Sequence, residues 1–154
     1  MKRPILITSF LLLFFFKVKG QDSIASPIQH KIFVQCFENL NQGYEVFEKY
    51  PSLKKVKFCS IMKCIALMQY KEDDIKKAAE YRLRGIATQL YNQGKPVYLI
   101  SGMDSSSYAH KQNENLEDDN GIIYISIGEC LISQSESKAK EIFNEQTKML
   151  IEKK

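Results

Sequence analysis

The first twenty residues decide how much of this chain can enter a folded domain. Two cations open the segment, an apolar block extends to Phe16, and a glycine stands at position 20. A basic start, a short apolar stretch and a small residue before the cut are typical of a cleaved secretory signal. The block is shorter than the roughly 20 apolar residues of a spanning helix, so a retained membrane anchor is the weaker alternative. We therefore expect residues 1–20 to be a signal peptide and residues 21–154 to form a single globular domain.

Loss of this signal changes the charge of the protein. The whole chain has 22 Lys and Arg against 18 Asp and Glu, and four of the cations but none of the acids lie in residues 1–20. The remaining domain is neutral, so it lacks the surplus of cations that nucleic-acid binding requires. We expect a secreted or periplasmic protein with no nucleic-acid partner, no cofactor and no stable membrane span after cleavage.

An exported chain with an even number of cysteines is expected to form disulfides. The four cysteines are Cys36, Cys59, Cys64 and Cys130. If Cys59 and Cys64 share a helix, their sulfurs lie about 140° apart around its axis and cannot bond to each other. We therefore expect Cys36 and Cys130 to pair with Cys59 and Cys64, in one order or the other. Four buried free thiols are the alternative, and the absence of a C-x-x-C pair disfavours zinc.

Apolar spacing predicts a mainly helical α+β fold with about four helices. Steps of three and four residues indicate a long first helix over 26–48 and a second helix over 58–68. Polar and apolar residues alternate over 55–60, so a strand there is an open alternative. A third helix is expected over 72–94, with acids at its start and glycine at its end. The last helix is expected from Ser133, whose spacing to a glutamate fits a capping box.

Two short β-rich runs, residues 96–101 and 121–128, are bounded by turn residues and predict two strands of one small sheet. The polar segment 102–120 between them is several times longer than the usual connection of about four to six residues. We predict a recognition loop held by the sheet, with a disordered tip as the alternative. Its candidate contact residues are Asp104, Tyr108, His110, Asn113, Glu117, Asp118 and Asp119.

The same segment contains residue types that occur in catalytic and metal-binding sites. Asp104, a run of three serines and His110 supply the residue types of a hydrolytic triad, but triad members normally come from separate rigid elements. No G-x-S-x-G motif is present, and a thiol peptidase using Cys130 with His110 would need a free cysteine. The acids around 117–119 suit calcium, yet the alternating D-x-D-x-D-G order is missing. No catalytic residue and no metal ligand is predicted.

With no catalytic or metal site predicted, we expect a small binding protein of the inhibitor, immunity-protein or ligand type. It would present the 102–120 loop, or a strand edge, to a protein partner. The alternative is a small exported hydrolase that uses His110 with a loop serine or with Cys130.

Overall fold

The computed structural model describes residues 27–37, 45–56, 60–114, 116 and 121–153. The predicted signal peptide, Cys59 and the acids at 117–119 lie outside this part. Within it, no helix is long and apolar enough to cross a membrane. The elements follow in the order α1 (Pro27–Val34), α2 (Glu45–Lys49), a 3-10 helix (Pro51–Val56), α3 (Ile61–Leu67), α4 (Asp73–Asn92), β1 (Val97–Ile100), α5 (Ser105–Asn113), β2 (Ile123–Ser126) and α6 (Gln134–Glu152).

The two strands form one parallel sheet, which confirms the predicted α+β fold with a small sheet. Val97 lies opposite Ile123 and Leu99 opposite Ile125, and all four side chains are buried. The alternate positions hold partly exposed side chains, so the sheet has one covered face. Since parallel neighbours need a crossover, β1, α5 and β2 together form a β–α–β unit.

The long helices α4 and α6 pack against each other and α6 also packs along β1, while α3 packs on α4. Their inward positions supply most of the core, including Ile75, Leu83, Ile86, Ile142 and Phe143. The predicted third helix is confirmed as α4, after which Gly94 adopts a positive φ of 72°. The predicted capping box at the start of α6 is also confirmed, because Ser133 and Glu136 bond to each other's main-chain N–H.

The predicted first helix is wrong in its extent. Helix α1 ends at Val34, and residues 35–37 are irregular. Phe37 is only 2% exposed, so the chain leaves the helical path where this ring enters the core. Helix α2 begins again at Glu45, and the structure has six α-helices in its described residues where about four were expected.

The second predicted helix is shorter than expected. Ser60 accepts a hydrogen bond from Lys63 N–H and so fixes the start of α3 at Ile61. Hydroxyl side chains at this position satisfy a main-chain N–H that the helix leaves unpaired. Helix and strand were both open for residues 55–60; Lys55 and Val56 lie in a 3-10 helix, and residues 57–59 lie outside the described residues.

The prediction that all four cysteines form disulfides is wrong. Cys64 and Cys130 are free thiols, so two of the four cysteines are not cross-linked. Cys64 is fully buried in the core, where cysteine packs as a small apolar side chain. The expected staple from Cys130 to the helix that carries Cys64 therefore does not exist. Cys36 is not a free thiol.

The predicted recognition loop contains a helix. Residues 105–113 form α5, the crossover helix that packs on β2. Ser105 and Ala109 are buried and Asn113 is half-buried, so one narrow stripe at four-residue spacing faces the sheet. Small and polar contact residues give little contrast between the two sides of the helix. That is why the segment resembles a polar loop in the sequence.

Candidate functional site

Both edges of the sheet are covered by side-chain amides. Asn144 of α6 accepts from the N–H of Leu99 and donates to its carbonyl, each at 2.8 Å. Asn113 of α5 makes the same pair of bonds with Tyr124, at 2.9 Å from the N–H and 2.8 Å to the carbonyl. Main-chain groups at these positions are thus unavailable to an added strand. The strand-edge form of the predicted binding mode has no support here.

A small network of hydrogen bonds connects the two loops at the carboxyl end of the sheet. The N–H of Gly102, just after β1, donates to the carbonyl of Gly128, just after β2, at 2.9 Å. Ser105 Oγ donates to the same carbonyl at 3.0 Å and lies 2.6 Å from Ser126 Oγ. Ser105 is therefore a buried structural residue whose hydroxyl is already used, and hydrogen bonds connect the two loops.

The start of α5 is already occupied by a carboxylate of the protein. The N–H of Ser106 donates to Glu129 Oε1 at 3.0 Å, a contact that also places negative charge at the positive end of the helix. Asp104 precedes α5 in the left-handed conformation, with φ of 61°. Aspartate tolerates this region better than most residues. Asp104 and its neighbour Met103 are both exposed at this turn.

The tips of these two loops expose large apolar side chains. Met103 is 85% exposed and Leu131 is 96% exposed, the two highest values among the large hydrophobic residues that the structure describes. Cys130 is exposed beside Leu131 and carries a free thiol. We call the group formed by Met103, Asp104, Glu129, Cys130 and Leu131 the carboxyl-end surface.

The shape of the second loop depends on Gly128. A Cβ atom at this position would lie 2.5 Å from Ile132 Cγ2, which is closer than real Cβ contacts. The loop from Gly128 to Ile132 thus folds back tightly on itself. This tight turn leaves Leu131 at its outside.

The predicted contact residues of the former loop have different roles. Tyr108 is half-exposed, and its ring packs edge-on against Tyr124 with centroids 5.6 Å apart. His110 Nε2 lies 2.9 Å from Glu114 Oε1 on the same helix. Asn113 covers the edge of β2, and only Asp104 belongs to the carboxyl-end surface. The prediction for Glu117, Asp118 and Asp119 is outside the described residues.

The described residues do not form a recognisable catalytic arrangement. Within the described residues, His110 makes no hydrogen bond to Ser105, Ser106, Ser107 or Cys130, and no group of three or more His, Cys, Asp or Glu could hold a metal ion. Burial raises the pKa of the Cys64 thiol to about 12, although the nearby Arg82 guanidinium opposes the shift. Cys64 is therefore a protonated core residue at neutral pH and not a nucleophile.

Sequence reasoning missed Met103, Glu129 and Leu131. All three follow strands, and the carboxyl ends of parallel strands meet at one edge of a sheet, which is where open α/β sheets place ligand sites. The signal was the order strand, helix, strand, which requires recognition of α5. Without that helix the first loop is only the start of a long polar connection, and nothing places it beside the loop that follows β2.

Comparison of this chain with known protein families, with curated proteins and with solved structures finds no match.

Proposed function

We propose that the protein is an exported binding protein that contacts a protein partner through the carboxyl-end surface. The observation that carries this proposal is the exposure of Met103 and Leu131, at 85% and 96%, on two loops that main-chain and serine hydrogen bonds hold together. Apolar patches exposed on the surface of a folded protein mark sites of interaction with a partner. Export remains part of the proposal and rests on the first twenty residues of the sequence.

Binding through the carboxyl-end surface differs from binding through a flexible loop in its entropic cost. A loop that orders on binding loses conformational entropy at that moment, which weakens binding. The carboxyl-end surface is instead supported by β1, β2 and the start of α5, so the main chain that carries its side chains is already held in place. The partner is thus expected to bind without rearrangement of the main chain around Gly102 and Gly128.

The test is affinity capture from the native compartment, using the full chain with its own leader and a carboxyl-terminal tag. A Met103→Ser/Leu131→Ser variant removes both exposed apolar side chains and leaves the core and the hydrogen-bond network between the two loops unchanged. Deletion of residues 103–119 is unsuitable because it would remove α5 from the sheet. A matched control, Tyr81→Ser/Met149→Ser, removes two exposed apolar side chains from α4 and α6.

We expect a partner that the wild type and the control variant recover and the Met103→Ser/Leu131→Ser variant does not. Circular dichroism of all three proteins checks that they are equally folded. Recovery of the same partner by all three would contradict the proposal.

A further inference from the structure

We propose that the partner segment is cationic as well as apolar, with Lys or Arg beside an apolar anchor; this inference rests on the function proposed above. Asp104 and Glu129 are exposed carboxylates on the same two loops, one residue after Met103 and two residues before Leu131 in the chain. Neither forms an ion pair with any cation that the structure describes. Exposed anions beside apolar anchors select against negatively charged partners and speed the encounter with positively charged ones.

A lysine that reaches this end of the sheet is already engaged. Lys140 of α6 donates to Ser101 Oγ at 2.8 Å, at the end of β1, and this contact is part-buried. The five residues of the carboxyl-end surface include two carboxylates and no cation, so the surface itself is acidic.

The charge of the surface also favours a basic protein segment over other possible partners. In a two-fold dimer the patch faces its own copy, which brings the carboxylates of Asp104 and Glu129 from both copies into one interface. Anionic lipids and nucleic-acid phosphates would be repelled in the same way. A cationic protein segment pairs with both carboxylates while its apolar side chain covers Met103 and Leu131.

The test is an NMR titration of the ¹⁵N-labelled domain with three synthetic peptides. One alternates Lys with Leu, the second alternates Glu with Leu, and the third alternates Lys with Ser. The Asp104→Asn/Glu129→Gln variant removes both charges but keeps an acceptor for the Ser106 N–H, and asparagine tolerates the conformation of residue 104. The matched control is Glu48→Gln/Asp73→Asn, which neutralises exposed acids on α2 and α4.

We expect the Lys/Leu peptide to shift amide signals of residues 101–106 and 128–132 and to bind more weakly as salt is raised. The charge-neutral variant should bind it about tenfold more weakly, a loss of two ionic contacts, whereas the control variant should match the wild type. The Glu/Leu and Lys/Ser peptides should bind far more weakly, since each lacks one of the two features.

Several results would overturn the inference: shifts confined to other residues, equal binding of the Glu/Leu peptide, or unchanged affinity in the charge-neutral variant. Self-association that Met103→Ser/Leu131→Ser abolishes would identify a second copy as the occupant instead. If the Lys/Leu peptide fails but the natural partner still needs Met103 and Leu131, the partner chemistry is wrong and the proposed function stands. If the natural partner does not need them, the proposed function itself fails.

Discussion

The side-chain amide of Asn113 bonds to both main-chain groups of Tyr124, as a neighbouring β-strand would. Asn144 does the same to Leu99 on the other edge of the sheet. On that edge, Thr147 Oγ1 also donates to the Val97 carbonyl at 2.9 Å. Two strands alone make a sheet of marginal stability, with unpaired groups on both sides. Here helices α5 and α6 provide the missing hydrogen bonds and so complete the sheet without further strands.

Replacement of either asparagine by alanine should destabilise the protein. Asn113→Ala and Asn144→Ala each leave one N–H and one carbonyl of a strand without a partner, and we expect a loss of about 2 kcal/mol in the free energy of unfolding for each. Urea denaturation measures this loss, and hydrogen exchange at the amides of Tyr124 and Leu99 should become faster. Asn92→Ala, at an exposed position near the end of α4, is the matched control. A loss no larger than that of the control would contradict the proposed role of the two amides.

Sequence patterns predicted the elements in which apolar contrast is strong. Helix α4 has a full buried stripe, and α6 has a capping box as well as buried positions, so both were located correctly. Both strands were also located correctly, because they consist mostly of β-branched and aromatic residues, which are enriched in strands. The sequence pattern did not predict helix α5, because the side chains that contact the sheet are serine, alanine and asparagine, which give no hydrophobic periodicity.

The candidate site was harder to predict because it depends on long-range contacts. Gly102 and Gly128 lie far apart in the chain, and only the parallel pairing of β1 with β2 brings their loops together. The cysteines were misjudged for a related reason. Export and an even count favour disulfides, but Cys64 lies in the core among apolar residues, and pairing is a property of position rather than of number.

Gly128 should be intolerant of any side chain. In Gly128→Ala the new Cβ would overlap Ile132 Cγ2, and isoleucine is branched at Cβ and cannot easily turn away. We expect a loss of about 1–3 kcal/mol in the free energy of unfolding, typical of overpacking. The Ile132→Ala change removes the clashing methyl group, so the double variant should recover part of the loss. A double-mutant cycle by urea denaturation measures this coupling, and additive losses would show that the contact is not responsible.

The two free thiols should differ strongly in reactivity. Cys130 is exposed and should react with a thiol reagent such as DTNB as soon as it is added, whereas Cys64 is buried and should react only when the protein unfolds. Stopped-flow absorbance, with and without urea, measures both phases. Cys130→Ser should abolish the fast phase and leave the slow one unchanged. A fast phase that survives this substitution would place a second reactive thiol at the surface.

The buried thiol also predicts a specific loss of stability in alkali. The pKa of Cys64 is raised from 9.0 to about 12 by burial, so between these values the unfolded chain releases a proton that the folded protein retains. Unfolding is therefore favoured as pH rises through this window, by up to about 1.4 kcal/mol per pH unit from this group. Below pH 9 the group contributes no pH dependence. In Cys64→Ala this slope should be absent, and denaturation curves collected from pH 8 to 11 compare the variant with the wild type. Equal slopes for the two proteins would contradict a buried thiol.

A buried amide in α1 predicts a substitution that should not harm the protein. Gln29 is 3% exposed, and its Nε2 atom has no hydrogen-bond partner among the described residues. A polar group that is removed from water without a new partner destabilises the fold, whereas an apolar side chain of similar shape does not. We therefore expect Gln29→Met to raise the free energy of unfolding by about 1 kcal/mol in urea denaturation. Gln35→Met, at an exposed position just after the same helix, should have no effect. If Gln29→Met instead lowers stability by as much, the amide contributes a contact that outweighs its burial.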